Sequence, residues 1–145
     1  MTTYDTTRTD GLAATLNAQH AALILRVAMG GLFLAHVWLK IAVFTPAGTA
    51  GYFASLGLPG FLAYLTIAAE LFGGLALIAG LWTRWVSLAL VPVLLGAAYF
   101  GHGAAGFFFS NPNGGWEFPA FWAVTLIVQA LLGDGAYALG KAPAR

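Results

Sequence analysis

The 145-residue sequence predicts an all-α integral membrane protein, a bundle of four transmembrane helices that run up, down, up and down. Three observations predict this fold. Hydrophobic residues make up 60% of the chain and charged residues 8%, whereas a soluble domain carries about 25% charged residues on its water-facing surface. Four apolar stretches approach the roughly 20 residues that a helix needs to cross the hydrocarbon core. Proline and glycine residues separate these stretches.

Each apolar stretch is expected to be helical because lipid offers no hydrogen-bond partners to main-chain N–H and C=O groups. The predicted spans are about 21–44, 61–82, 85–105 and 118–139. Pro92 is expected to kink the third of them. Residues 1–20 are polar and threonine-rich, so we expect a loose N-terminal tail followed by a single transmembrane domain over 21–140.

The breaks between spans fall at residues that interrupt or begin helices. Pro46 and Pro59 bracket the first loop, and Thr83 with Arg84 makes a tight turn between the second and third spans. Pro119 falls in the first turn of the fourth span, where its missing N–H costs little.

The basic residues predict the orientation. Arg8, Arg84, Lys141 and Arg145 lie on the side that holds both termini, whereas the loops 45–60 and 101–117 contain no Lys or Arg. The positive-inside rule then places both termini in the cytoplasm. We therefore expect a multi-pass protein whose main partner is the lipid bilayer. A net charge of +1 gives no basis for binding nucleic acid.

Two ionisable residues are expected near the inner boundary of the membrane. Counting about 1.5 Å of rise per residue places Arg26 of span one and Asp134 of span four at similar depths. Charged groups in hydrocarbon are costly and are rarely left unpaired. The sequence therefore predicts a structural ion pair that joins these two spans.

The outer half of the bundle collects most of the remaining ionisable residues. Glu70 is the deepest, and Gly73 and Gly74 on the same face are expected to let another helix approach closely. The expected pocket is polar, opens outward and has Glu70 at its centre. Its predicted members are His36, Lys40, Glu70, His102, Glu117 and Trp116.

Three of these residues have simpler interpretations. Lys40 could extend its ammonium group to the outer interface. Glu117 could be an acid at a helix N-terminus, where the helix dipole favours it. His102 could be a solvated loop residue. Glu70 has the weakest alternative, because a structural role would still require a donor such as His36 or Lys40.

Several kinds of cofactor are disfavoured. The chain contains no cysteine, which removes thiolate metal sites, iron–sulfur ligation and covalent haem. No metal site is predicted. His36 and His102 could in principle ligate a haem, but Glu70 gives His36 a plain hydrogen-bond partner, so haem is not favoured. Residues 101–106 match the dinucleotide-binding motif G-x-G-x-x-G literally. They follow a transmembrane helix and not a strand, so no dinucleotide site is predicted.

Polar and small residues recur at fixed spacing inside the first two spans. The pattern is Arg26-x3-Gly30-x2-Phe33-x2-His36-x3-Lys40, followed by Glu70-x2-Gly73-Gly74-x2-Leu77-x2-Gly80-x2-Thr83-Arg84. It resembles the DoxX family of small four-helix bacterial membrane proteins, including the DoxD-like members, over roughly residues 21–135. The resemblance implies a bacterial inner membrane and an association with quinone-linked redox chemistry.

Two hypotheses follow for function. In the first, the chain is a quinone-interacting subunit of an oxidoreductase, with Glu70, His36 and Lys40 as the catalytic group and quinone as the cofactor. Electrons would then arrive from a redox partner protein or a soluble reductant. In the second, the chain is a non-enzymatic anchor or bracing subunit of a larger complex. A small proton path is a weaker third idea, since intramembrane carboxylates mark such routes. The sequence leaves oligomerisation open.

Overall fold

The computed structural model describes residues 3–140, with side chains from Gly11 onward. Every regular element in this part of the chain is helical, so the predicted all-α class is confirmed there. The α-helices are α1 (Thr3–Trp38), α2 (Pro46–Ser55), α3 (Phe61–Ala79), α4 (Thr83–Gly96) and α5 (Glu117–Leu132). Two of them continue as π-helical turns, α1 through Leu39–Val43 and α4 through Ala97–Gly101.

Three helical stretches are long and apolar enough to cross a membrane: Gly11–Val43, Phe61–Ala79 and Thr83–Gly101. The fourth apolar helix, α5, has 16 residues and is therefore about 24 Å long. The prediction of a helix over 118–139 is wrong beyond Leu132. Gly133 ends the helix with a φ of 79°, a conformation that glycine adopts without steric cost.

The expected loose conformation of residues 1–20 is wrong for the described part, because α1 already begins at Thr3. Residues 11–18 are exposed, so this part of α1 projects beyond the packed helices. Propensity explains the error, since Ala13, Ala14 and Leu16 favour helix even without a buried face. Three of the four basic residues that predict the orientation, Arg8, Lys141 and Arg145, lie outside the described side chains.

Helix α2 occupies the segment that the sequence analysis left as a loop. Thr45 caps it by accepting a hydrogen bond at Oγ1 from the Gly48 N–H at 3.1 Å, and Pro46 occupies its first position. This order, a threonine N-cap followed by proline, is a recognised signature of a helix start. The sequence therefore carried the signal for α2.

Helices α1 and α3 cross in close contact at a pair of glycines. A Cβ atom on Gly30 would lie 2.6 Å from the Gly74 carbonyl oxygen, and one on Gly74 would lie 3.0 Å from the Gly30 oxygen. Gly73 instead faces α4, where its Cβ would lie 2.8 Å from Leu90 Cδ1. The expected close approach therefore belongs to Gly74, and it sets the distance between the faces of α1 and α3.

The prediction that Arg26 and Asp134 form an ion pair is wrong, because the two side chains have different partners. Arg26 is 1% exposed and donates to four main-chain carbonyl groups. These belong to Leu77 (2.9 Å), Ile78, Asp134 (3.0 Å) and Ala136 (3.0 Å). The Asp134 carboxylate instead accepts from the Thr83 N–H at 3.1 Å. A helix C-terminus leaves carbonyls unpaired, and the planar fork of a guanidinium suits several acceptors at once.

Residues 133–140 pack against the end of the bundle that holds Arg26 without forming a helix. Ala136 N–H donates to Gln19 O at 2.9 Å, and Leu139 N–H donates to Ala79 O at 3.0 Å. Together with Arg26, these hydrogen bonds attach the chain beyond α5 to α1 and α3.

Candidate functional site

A cavity of about 840 Å³ lies at the end of the bundle opposite Arg26. All five α-helices contribute to its lining, and so do both π-helical turns. Most of the lining is apolar, with the expected polar residues His36, Lys40, Glu70 and His102 among it. The polar side chains in the lining are His36, Lys40, Thr49, Tyr52, Thr66, Glu70 and His102.

Lys40 and Glu70 form an ion pair between α3 and the π-helical turn that follows α1. Lys40 Nζ lies 3.0 Å from Glu70 Oε1 and 2.8 Å from Oε2. Their side chains are 18% and 7% exposed, so neither charge is fully solvated. The alternative that Lys40 merely extends to the interface does not describe this geometry. Two charges that are largely out of water are tolerated here because each one compensates the other.

The π-helical turns place two of the polar residues. Lys40 lies within the first turn, Leu39–Val43, and His102 directly follows the second, Ala97–Gly101. A π-helical turn adds a residue to the helical repeat and re-aims the side chains beyond it, and such turns are frequent at functional sites. Pro92 lies inside α4 one turn earlier, where its missing N–H loosens the helical ladder.

His36 lies one helical turn before Lys40, and its orientation is fixed on both sides. Its Nδ1 lies 2.9 Å from Leu32 O, and its ring packs on Trp122 with the ring centroids 5.1 Å apart. Trp122 is 4% exposed and lines the cavity. The sequence analysis missed Trp122, because an aromatic residue inside an apolar span carries no local signal of function.

His102 lines the cavity from the loop that follows α4. Its Nδ1 lies 3.1 Å from Asn113 O, and that contact holds the ring against the neighbouring loop. His102 is therefore a loop residue of intermediate exposure that also lines the cavity.

Glu117 and Trp116 do not line the cavity, so the prediction that placed them in the pocket is wrong. Glu117 is the first residue of α5, and its Oε1 accepts from the Phe109 N–H at 2.7 Å. Trp116 packs on Phe107 with ring centroids 4.8 Å apart. Both side chains therefore order the 103–116 loop, and the simpler interpretation of Glu117 as an acid at a helix N-terminus describes its position.

Helix α2 closes one side of the cavity and supplies residues that the sequence analysis did not consider. Thr49 is 5% exposed, and its hydroxyl donates to Thr45 O at 2.9 Å and to Lys40 O at 3.2 Å. Tyr52 directs its hydroxyl at Gly101 O, 3.4 Å away. Thus α2 contacts both π-helical turns.

A hydrophobic layer separates the cavity from the end of the bundle that holds Arg26. Phe33, Leu77 and Leu126 in this layer are all fully buried. Phe33 lies seven residues after Arg26 and seven before Lys40. The layer gives no support to a continuous polar path for protons across the bundle.

The comparisons with known proteins agree with the pattern of residues. The DoxX family model matches residues 21–103. "Putative oxidoreductase CatD" of Bacillus subtilis (strain 168) is 41% identical over 75 residues, which are 52% of this chain and 54% of that protein. "Inner membrane protein YqjF" of Escherichia coli (strain K12) is 38% identical over 80 residues, 55% of this chain and 60% of that protein.

The matched segment thus covers between half and two thirds of the length of each of these relatives. No solved structure matches the chain significantly. The family match includes α2, α3, α4, the part of α1 that carries His36 and the π-helical turn that carries Lys40. Because the family model covers more than half of the sequence, this chain belongs to the DoxX family.

Proposed function

We propose that this membrane protein binds a quinone in the cavity and serves as a redox-associated subunit of a bacterial inner membrane. The observation that carries the proposal is a cavity of about 840 Å³ with apolar walls and a buried Lys40–Glu70 pair. Pockets for small ligands typically measure about 300–1,000 Å³ and combine apolar walls with a few polar groups. The name of the Bacillus relative, which describes an oxidoreductase, is consistent with redox chemistry.

The residues present fit a quinone. Phe53, Phe100 and Phe118 in the lining supply aromatic surfaces for a flat ring, and the leucines offer space to an apolar tail. Lys40 keeps an N–H that Glu70 does not take up, since an ammonium group has three donors. That N–H can hold an oxygen atom of the ring.

The polar residues have distinct roles in this proposal. Lys40 binds a ring oxygen and keeps the Glu70 carboxylate neutralised, and Glu70 with His36 can hold and release protons. A bound quinone supplies two-electron, two-proton chemistry, and the electrons come from a redox partner protein or a soluble reductant.

The membrane arrangement is part of the same proposal. We take α5 and the segment after it as the fourth crossing of a four-helix bundle, because α5 packs along α4. A helix of about 24 Å is slightly short for a bilayer core of roughly 30 Å, a mismatch that local thinning accommodates. Both termini are cytoplasmic, and the cavity opens toward the outer side.

The alternative is a subunit that only braces a larger complex. The observation that favours it is that Lys40–Glu70 joins α1 to α3 while Arg26 joins α1 to α3 and to residues 134–136. Both contacts would then serve helix packing alone.

Binding of decylubiquinone to the purified chain tests the proposal. The wild type should bind about one quinone per chain. Gly96 lines the cavity, and a Cβ atom there meets no atom within 4 Å. Gly96→Phe should therefore accommodate its Cβ atom, place a ring in the cavity and weaken binding at least tenfold, about 1.4 kcal/mol. Isothermal titration calorimetry in detergent measures the affinity.

Gly31→Phe is the matched control. Gly31 is exposed on α1, and a Cβ atom there also meets nothing within 4 Å. This variant adds the same ring away from the cavity and should bind quinone as the wild type does. Absence of saturable binding to the wild type, or equal losses in both variants, would overturn the proposal.

A further inference from the structure

The two histidines that line the cavity each have one ring nitrogen fixed by a main-chain carbonyl. His36 Nδ1 lies 2.9 Å from Leu32 O, and His102 Nδ1 lies 3.1 Å from Asn113 O. A carbonyl oxygen can only accept a hydrogen bond, so Nδ1 carries a proton in both rings. Neutral imidazole has a single N–H, and Nε2 of each ring therefore presents a lone pair.

Both lone pairs are available to a ligand. Neither Nε2 has a hydrogen-bond partner among residues 11–140, although both rings line the cavity. The Trp122 contact and the Leu32 contact leave His36 little freedom to exchange its two nitrogens by rotation. Each ring thus offers the cavity a hydrogen-bond acceptor.

Thr49 and Glu70 also offer the cavity acceptors. The single hydroxyl proton of Thr49 is directed at the carbonyl oxygens of Thr45 and Lys40, which leaves only its oxygen lone pairs. Both oxygens of the Glu70 carboxylate accept from Lys40 Nζ, so this side chain also presents lone pairs.

The cavity also offers donors. Tyr52 directs its hydroxyl at Gly101 O, 3.4 Å away. The other donors on lining residues are the third N–H of Lys40, the hydroxyl of Thr66 and the Trp122 Nε1–H, which is buried without a partner among residues 11–140. A hydroxyl oxygen accepts from such donors as a carbonyl oxygen does, and its proton also satisfies an acceptor. A carbonyl oxygen placed at an acceptor meets a second lone pair, and a buried polar group without a partner is costly.

We infer that the cavity selects the reduced, dihydroxy form of its aromatic ligand, so that it binds a hydroquinone more tightly than the matching quinone. This inference rests on the proposed function, in which the ligand is of the quinone class. Tighter binding of the reduced form raises the reduction potential of the bound couple. A tenfold preference corresponds to about 30 mV for a two-electron couple.

Titration of the purified chain with decylubiquinol and, separately, with decylubiquinone tests the inference. The titrations are done without oxygen at about pH 8, where free imidazole is neutral. The wild type should bind the quinol at least tenfold more tightly. His36→Phe keeps a ring against Trp122 but removes Nε2, and it should lower the preference at least threefold by weakening quinol binding. His36→Gln supplies an amide oxygen as acceptor and should restore part of the preference.

His20→Phe is the matched control. His20 is an exposed histidine on the same helix, and its Nδ1 likewise contacts a carbonyl four residues earlier, Leu16 O at 2.7 Å. It does not line the cavity, so its loss should leave the preference unchanged. Equal affinities for the two forms, tighter binding of the quinone, or a preference that survives His36→Phe would overturn the inference while the proposed function stands. Binding of neither form would overturn both.

Discussion

At the scale of single residues, the site depends on charges that lie out of water but close to each other. Lys40 and Glu70 are held at 2.8 Å, and neither would be stable alone at this depth, because desolvation of an unpaired charge costs several kcal/mol. A pair of this kind can serve packing, ligand binding or both. Removing one partner cannot separate these roles, since it leaves the other charge uncompensated.

Removing both partners does separate them. Glu70→Gln alone should lower stability by up to about 3 kcal/mol, and it should weaken quinone binding. Lys40→Met combined with Glu70→Leu leaves no unpaired charge at this site, so stability should return to within about 1 kcal/mol of the wild type. Quinone affinity should remain at least tenfold reduced in this double variant. Thermal unfolding and quinone titration in detergent measure the two quantities. A stable double variant that binds quinone normally would favour the bracing subunit.

At the scale of helices, the contact between Gly30 and Gly74 brings α1 and α3 together. Lys40 and Glu70, which lie further along the same two helical stretches, are thereby placed within contact distance. Lys40 lies ten residues after Gly30, and Glu70 lies four residues before Gly74. Small residues allow this approach in lipid, where association depends on close packing and not on the hydrophobic effect. A change at the crossing should therefore affect both folding and the ion pair.

The neighbouring glycines on α1 make a direct comparison. Gly30→Ala introduces a Cβ atom 2.6 Å from the main-chain oxygen of Gly74 and 2.7 Å from Ile78 Cγ1. It should lower the free energy of unfolding by about 1–3 kcal/mol. Gly31→Ala meets no atom within 4 Å and should be neutral or stabilising by up to about 1 kcal/mol, because alanine is the better helix former.

Thermal unfolding of both variants in detergent measures this difference, and quinone affinity gives a second readout. Gly30→Ala should weaken quinone binding while Gly31→Ala should not. If the two alanine variants were equally stable, the close crossing of α1 and α3 would not be needed for folding.

At the scale of the whole molecule, the hydrophobic layer around Phe33, Leu77 and Leu126 gives the bundle two different ends. One end holds the cavity, and the other holds Arg26 with the chain that follows α5. The proposed orientation places the cavity toward the outside and residues 133–140 toward the cytoplasm, on the basis of the distribution of Arg and Lys.

Labelling of single cysteines tests this orientation, and the natural chain contains no cysteine to interfere. Ser110 lies in the loop at the cavity end, and Leu139 is 76% exposed at the opposite end. In intact cells, Ser110→Cys should react with a membrane-impermeant maleimide. Leu139→Cys should react only after the membrane is opened. The reverse pattern would overturn the orientation and the outward-facing cavity.

The sequence by itself determined that the chain is helical and belongs in a membrane, because hydrophobic content and the spacing of Pro and Gly act locally on each segment. It also indicated the family and singled out His36, Lys40, Glu70 and His102, which all line the cavity, since polar residues inside apolar spans are conspicuous. The tertiary structure decided which partners these residues meet. Depth counts alone could not show that Arg26 contacts main-chain carbonyls at the end of α3, that Glu117 turns to the loop, or that Trp122 and α2 line the cavity. Those contacts depend on the rotation of each helix about its axis and on the residue at which it ends. Both are set by packing between segments that are far apart in the chain.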